Sequence, residues 1–195
     1  MSKKHKILRK IVMIAGTAFT IAGCSGKSTS NYLDDTKTYD LTAASYTMEV
    51  PADAEVSKSY NADYYILKEN DKEYGVIVST NTNPDTVAEL INLNNISGYY
   101  RSDRTNAIAT VYGSGSDLEF SDKYTETTAG GCDAMKSSEK TSTDNNITIN
   151  YVSYDFFLDN DGKVPAEVFV FSQENDTDAL DDLANEVIDS IEYND

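Results

Sequence analysis

The sequence predicts an α+β fold: a central, mostly antiparallel sheet flanked by helices and closed by a long amphipathic C-terminal helix. Three observations carry this. Short apolar runs with period-two alternation recur along the chain, separated by Gly, Asn and Asp clusters. One of those runs, Val164 to Ser172, is apolar on both faces at Val168, Phe169, Val170 and Phe171, so the sheet needs cover on both sides. Near the C-terminus Leu180, Leu183, Ala184, Val187, Ile188 and Ile191 fall at helical spacing.

Each element has a local reason. Tyr46, Met48 and Val50 alternate with Thr47 and Glu49 until Pro51 stops the run, which gives a strand with one buried face. Tyr64 to Lys68 and Tyr74 to Thr80 flank Glu69, Asn70, Asp71 and Lys72 and read as a hairpin. Asn83, Pro84 and Asp85 form a helix start, cap then proline. The apolar stripe Val87, Leu90 and Ile91 fades at Asn94 and Asn95, so this helix is expected to be short and to end by Gly98. Tyr124 to Thr128, Asp133 to Thr141, Ile147 to Leu158 and Val164 to Ser172 follow as strands, divided by Gly130 and Gly131, by Asp144 to Asn146, and by Asp159 to Gly162. In the third of these the apolar set shifts from Ile147, Ile149 and Tyr151 to Val152, Tyr154, Phe156 and Leu158, which implies either a bulge or two covered faces. Asp178, Asp181 and Asp182 lie in the first turns of the last helix, where its dipole favours them.

The N-terminal segment carries a different signal. Lys3, Lys4, Lys6, Arg9 and Lys10 precede an apolar core from Ile11 to Ile21, too short to span a bilayer, and the small residues Ala22 and Gly23 precede Cys24. Ile21, Ala22, Gly23 and Cys24 resemble the processing site of bacterial lipoproteins at all four positions. The resemblance implies a signal peptide over 1–23 and a mature protein beginning at a lipidated, palmitate-bearing Cys24. Two or more acyl chains hold a protein on a membrane durably. The polar run after Cys24 reads as a flexible tether over 24–43, and 44–195 as one domain. The expected location is the cell membrane, facing away from the cytoplasm.

Processing there would change the charge balance. The five basic residues leave with the signal, so 16 Lys and Arg fall to 11 while all 33 Asp and Glu stay, and the net charge moves from −17 to −22. Such a surface repels phosphate backbones and anionic headgroups, which argues against nucleic acid as a partner. It favours cationic partners or weakly bound divalent cations. Lipidation also consumes one of two cysteines, leaving Cys132, at the head of a strand, as a half-buried apolar side chain. The sole histidine, His5, is lost with the signal, so histidine triads and histidine metal sites are excluded from the mature chain.

Other candidates are weak. Gly113 to Ser116 lacks the lysine of a phosphate loop and reads as a loop. A calcium loop with Gly162 at its turn would place Phe157 first and Val168 last, where carboxylates are required. No metal site and no cofactor is expected. Among the fourteen tyrosines, Tyr60, Tyr64, Tyr65, Tyr99 and Tyr100, with Arg101, are the candidates for an aromatic binding surface.

The first strand from Tyr46 to Pro51, the glycine turn into Cys132-Asp133-Ala134, the two long strands and the helix closing on Asp189-Ser190-Ile191 resemble the PsbP-like α/β/α sandwich family across the folded region. One departure is the lack of any Trp: Ala54 and Val56 stand where relatives place an aromatic. The resemblance implies binding and accessory roles and no shared catalytic residues. The expectation is therefore a noncatalytic, lipid-anchored module that binds an envelope protein or cell-wall component. The alternative is an envelope hydrolase using Asp and Glu alone, which needs two converging carboxylates and a raised pKa in a concave site.

Overall fold

The computed structural model describes residues 32–42, 45–81, 83, 93–113, 118–158 and 164–193. All of them lie in one compact unit, Asn31–Asp195. Within it run β1 (Thr36–Asp40), β2 (Tyr46–Pro51), β3 (Ser57–Ser59), β4 (Ala62–Glu69), β5 (Lys72–Thr80), α1 (Leu93–Tyr112), β6 (Thr125–Ala129), β7 (Cys132–Ser142), β8 (Thr148–Phe157), β9 (Pro165–Ser172), α2 (Thr177–Asp189) and β10 (Glu192–Tyr193). Seven strands form one sheet in the order β3-β4-β5-β9-β8-β7-β6, and a second sheet has the order β1-β2-β10. Every strand pair is antiparallel.

Turn chemistry sets the registers. β4 and β5 are joined by Asn70 and Asp71, both with positive φ (49° and 66°), the two-residue turn whose twist matches the strands it connects. Gly130 and Gly131 (56° and 83°) do the same between β6 and β7, and a Cβ on Gly130 would press on Ile188 at 3.2 Å. At Gly75 the reason is packing. It lies opposite Phe171, and any Cβ there would fall inside that ring.

The pattern shift in β8 is resolved without a bulge. Its pairing with β7 and β9 is unbroken, and Ile149 to Phe156 are all buried. Both faces are covered. On one, Val152, Tyr154, Phe156, Val168 and Val170 meet Met48 and Val50 of β2 and the stripe Leu180, Leu183, Ala184, Val187 and Ile188 of α2. Asp176 caps that helix by accepting from the Ala179 amide. On the other face Ile77, Ile149, Tyr151, Phe169 and Phe171 meet Ala107 and Ile108 of α1, with Leu118. Fully burying one large apolar side chain contributes about 1.5–3 kcal/mol, so these faces hold the layers together.

Two expectations are corrected. The helix expected to stop by Gly98 runs through it to Tyr112. Gly98 sits on an open surface where its absent side chain costs only the usual propensity, and the helix is held instead by buried Ile96, Tyr100, Ala107 and Ile108. The described fold also includes part of the segment read as tether. Tyr32 is buried edge-on against Tyr74 at 5.7 Å, Glu186 Oε2 accepts from the Tyr32 and Leu33 amides at 2.8 and 3.2 Å, and β1 pairs with β2 along its length. β1 is a polar edge strand held by backbone bonds, so apolar periodicity does not reveal it. The lipoprotein motif Ile21 to Cys24, the helix start at Pro84, and the loops 114–117 and 159–163 lie outside the described residues.

Candidate functional site

Along the face of the large sheet that meets α1, the apolar layer gives way at one end to a polar row. Strand register places Ser79 of β5 opposite Glu167 of β9, and Glu167 opposite Asp155 of β8. All three are fully buried. In the next row Ser153 of β8 faces Ser137 of β7. Arg104, 2% exposed, descends from α1 onto this row and brings Nε to 3.4 Å from Glu167 Oε1. Its Nη2 donates to the Ser97 carbonyl and, at 3.0 Å, to Ser97 Oγ. Its guanidinium carbon lies 4.5 Å from the Phe120 ring centre and 5.4 Å from that of Phe169.

The pair Asp155–Glu167 is electrostatically unusual. Burial pushes the Asp155 carboxyl well above its ordinary range, the facing Glu167 charge adds to this, and Arg104 opposes it. Burial likewise raises Glu167, again against Arg104. As two bare carboxylates, all four oxygens lack a hydrogen-bond donor. One shared proton would satisfy both groups as an acid–carboxylate bond and leave a single negative charge against the single positive charge of Arg104. Asp103, beside Arg104 on the helix, is also raised by burial, opposed by hydrogen bonds from Asn61.

Above Arg104 lies a cavity of about 360 Å³. Helix α1 supplies Ser97, Gly98, Arg101 and Arg104, and the segment before β6 supplies Phe120, Ser121, Asp122 and Tyr124. That segment is fixed to the core: Leu118 is buried, Phe120 packs edge-on against Tyr151 and Phe169, each at 5.7 Å, and the Ser121 amide donates to Tyr151 Oη at 2.8 Å. It is also tied to the helix. Tyr124 Oη donates to Ser97 Oγ at 2.6 Å, and Arg101 Nη2 donates to the Leu118 carbonyl at 3.1 Å. Asp155 and Glu167 are absent from the lining; Arg104 is the side chain that touches both the cavity and the pair.

The structure does not gather the tyrosines singled out from sequence. Tyr60 is 87% exposed in the β3–β4 turn. Tyr64 and Tyr65, successive on β4, point to opposite faces, toward α1 and α2 respectively. Tyr99 accepts from Asn81 Nδ2 at 2.8 Å, and its ring stands edge-on to Tyr100, whose hydroxyl donates to the Pro165 carbonyl at 2.8 Å. Arg101 alone of that set lines the cavity. Cys132 is free and half-buried. Among the described residues no group of three His, Cys, Asp or Glu side chains could hold a metal ion, and no helix is long and apolar enough to cross a membrane. Arg104, Asp155 and Glu167 were missed. The available signal was one acid in each of two apolar runs, Tyr151 to Leu158 and Val164 to Phe171, since a charge there is buried whichever face it takes.

No family model and no curated protein matches the chain. Among solved structures it is similar to a protein of Bacteroides thetaiotaomicron VPI-5482 (14% identity, 83% of this chain, TM-score 0.47), spanning about half (49%) of that protein's length. It is also similar to LpqN of Mycobacterium tuberculosis, described as involved in cell envelope biogenesis (15% identity, 77% of this chain and 83% of that one, TM-score 0.42). A third is the cyanobacterial PsbP, CyanoP, of Synechocystis sp. PCC 6803 (15% identity, 89% and 98%, TM-score 0.49). At these identities and scores the likenesses assign neither a family nor a function.

Proposed function

We propose that this chain is a noncatalytic binding module, held at the outer face of a bacterial membrane through lipid on Cys24, with the cavity between α1 and Phe120–Tyr124 as its binding site. The observation that supports this best is the position of Arg104. The carboxylates a hydrolase would use lie beneath it, fully buried and balanced by its charge. The cavity lining holds two guanidiniums, hydroxyls, one carboxylate and two aromatic rings, Phe120 and Tyr124, a set suited to orienting a polar ligand. The anchor reading rests on Ile21, Ala22, Gly23 and Cys24. Because Tyr32 is already fixed to Glu186, the chain from Cys24 to that point reaches at most about 29 Å when fully extended, which keeps the module close to the surface that carries its lipid.

The hydrolase reading has one observation in its favour: Asp155 and Glu167 converge, and both have raised pKa values. It requires Arg104 to leave the pair so that substrate can reach them. Envelope material incubated with the purified protein distinguishes the readings. The binding reading expects the protein to sediment with that material and to release no soluble fragments. Fragment release abolished by Asp155→Asn or Glu167→Gln would overturn it. For the anchor, Cys24→Ala should remain an unprocessed precursor or leave the membrane fraction, and a processed, membrane-retained variant would contradict lipidation.

A further inference from the structure

We infer that the cavity recognises a carboxylate carried on a single hydroxylated ring, a hexuronate-like unit, with Arg101 as the group that grips the carboxylate. The inference rests on the binding reading above and names the ligand chemistry of the same site.

The first observation is how arginine is used. The chain has three arginines, Arg9, Arg101 and Arg104, and every cation after Cys24 other than the last two is a lysine. Those two stand one turn apart on α1 and line the same cavity. Arginine differs from lysine in its planar fork, which matches a carboxylate with two parallel hydrogen bonds. Arg104 is committed, to Glu167 on one side and Ser97 on the other. Arg101 is not. It is exposed, gives one hydrogen bond to the Leu118 carbonyl, and no carboxylate pairs with it among the described residues.

Charge and size narrow the ligand. With Arg104 paired to Glu167, Arg101 is the cation of the lining left to a ligand and Asp122 its one acid, in a chain whose net charge is −17. A polyanion would be repelled by the molecule as a whole, whereas one carboxylate is matched by the site. At about 360 Å³ the cavity lies at the small end of ligand pockets, which run from about 300 to 1,000 Å³, so it admits one ring and not a long chain. Ser121, Tyr124 and Asp122 offer hydroxyl and carboxylate partners to ring hydroxyls, and Phe120 offers an apolar wall.

The test uses the mature lipidated protein in nanodiscs of neutral lipid, titrated with sodium glucuronate, glucose and inorganic phosphate by ligand-observed NMR. Glucuronate should bind saturably and at least tenfold more tightly than glucose or phosphate. Arg101→Gln, at an exposed position, should keep the melting temperature and weaken glucuronate about ten- to hundredfold, the usual worth of a charge-assisted hydrogen bond. Arg101→Lys, with the charge but not the fork, should recover part of the affinity. Equal binding of glucose or of phosphate, full recovery with Lys, or indifference to Arg101→Gln would each overturn the inference. If none of the three probes binds while a photoreactive group at Asp122 still captures an envelope component, the carboxylate inference fails and the binding reading stands. Loss of that capture as well would sink both.

Discussion

Replacing Asp155 by Asn tests the shared proton at the heart of the fold. In the native protein the pair Asp155–Glu167 keeps one proton above the pH at which the unfolded carboxyls, near pKa 4, have lost theirs. In that window the native state binds one more proton than the unfolded state. Stability is therefore fully present below the unfolded pKa and falls as pH rises, until the native pair releases its proton. The slope is 2.303RT per proton, about 1.4 kcal/mol per pH unit, or roughly 3–6 °C in melting temperature per unit for a chain of this size. In Asp155→Asn the amide donates to the Glu167 carboxylate, Arg104 keeps its partner, and no proton is needed. The slope should vanish. Asp103 and Glu186, also raised by burial, are present in both proteins and cancel in the comparison. Chemical denaturation of the unit Asn31–Asp195 at half-unit steps from pH 4 upward reads the difference. The variant should gain on wild type by about 1.4 kcal/mol per unit while the pair holds its proton, whatever its starting offset at pH 4. Parallel stability curves would refute the shared proton.

Further outcomes follow from the same packing. Arg104→Met leaves the buried pair without its counter-charge and should cost about 3–5 kcal/mol at neutral pH, with a smaller loss in acid where both carboxyls protonate; an equal loss at both pH values in denaturant titrations would contradict the pairing. Gly75→Ala drives a methyl into the Phe171 ring and should destabilise by about 1–3 kcal/mol, whereas an unchanged melting temperature would show that Phe171 moves freely aside. Glu186→Ala removes the acceptor for the Tyr32 and Leu33 amides and should raise hydrogen exchange over Tyr32 to Asp40 while leaving β8 and β9 protected; unchanged protection of β1 would contradict this anchoring role. A functional calcium or magnesium site would add about 2.7 kcal/mol at a hundredfold excess over its dissociation constant. No described group could supply it, so millimolar metal should leave the melting temperature unchanged, and a clear rise would reveal a site.

What the sequence revealed and what it hid divide along a physical line. Strands were legible where one residue type had to alternate or both faces were apolar. β2, β4, β5, β8 and β9 were therefore read close to their bounds, and α2 was legible by its unmixed apolar stripe. The α1 helix was misjudged because its buried face carries Ser97, Asp103 and Arg104 among Ile96, Tyr100, Ala107 and Ile108. A polar residue on a buried face looks, in one dimension, like a residue at the surface. The same ambiguity concealed the candidate site. Asp155 and Glu167 are separated along the chain and meet through the β8–β9 register, and Arg104 reaches them from a helix whose length the periodicity had cut short. Arg101 was identified from sequence for its tyrosine neighbours, and the structure places it in a different company, with Arg104, Phe120 and Tyr124.

The central claim is that binding occurs at the cavity above Arg104, without chemistry at the pair below. Photo-crosslinking in intact cells addresses it most directly, with the reactive side chain at Asp122 on the cavity lining or, for comparison, at the exposed Tyr60. A defined adduct should form from position 122, persist in the Asp155→Asn background and disappear with Arg101→Gln. An adduct from position 60 alone, or one at position 122 that survives Arg101→Gln but needs Asp155, would contradict the account.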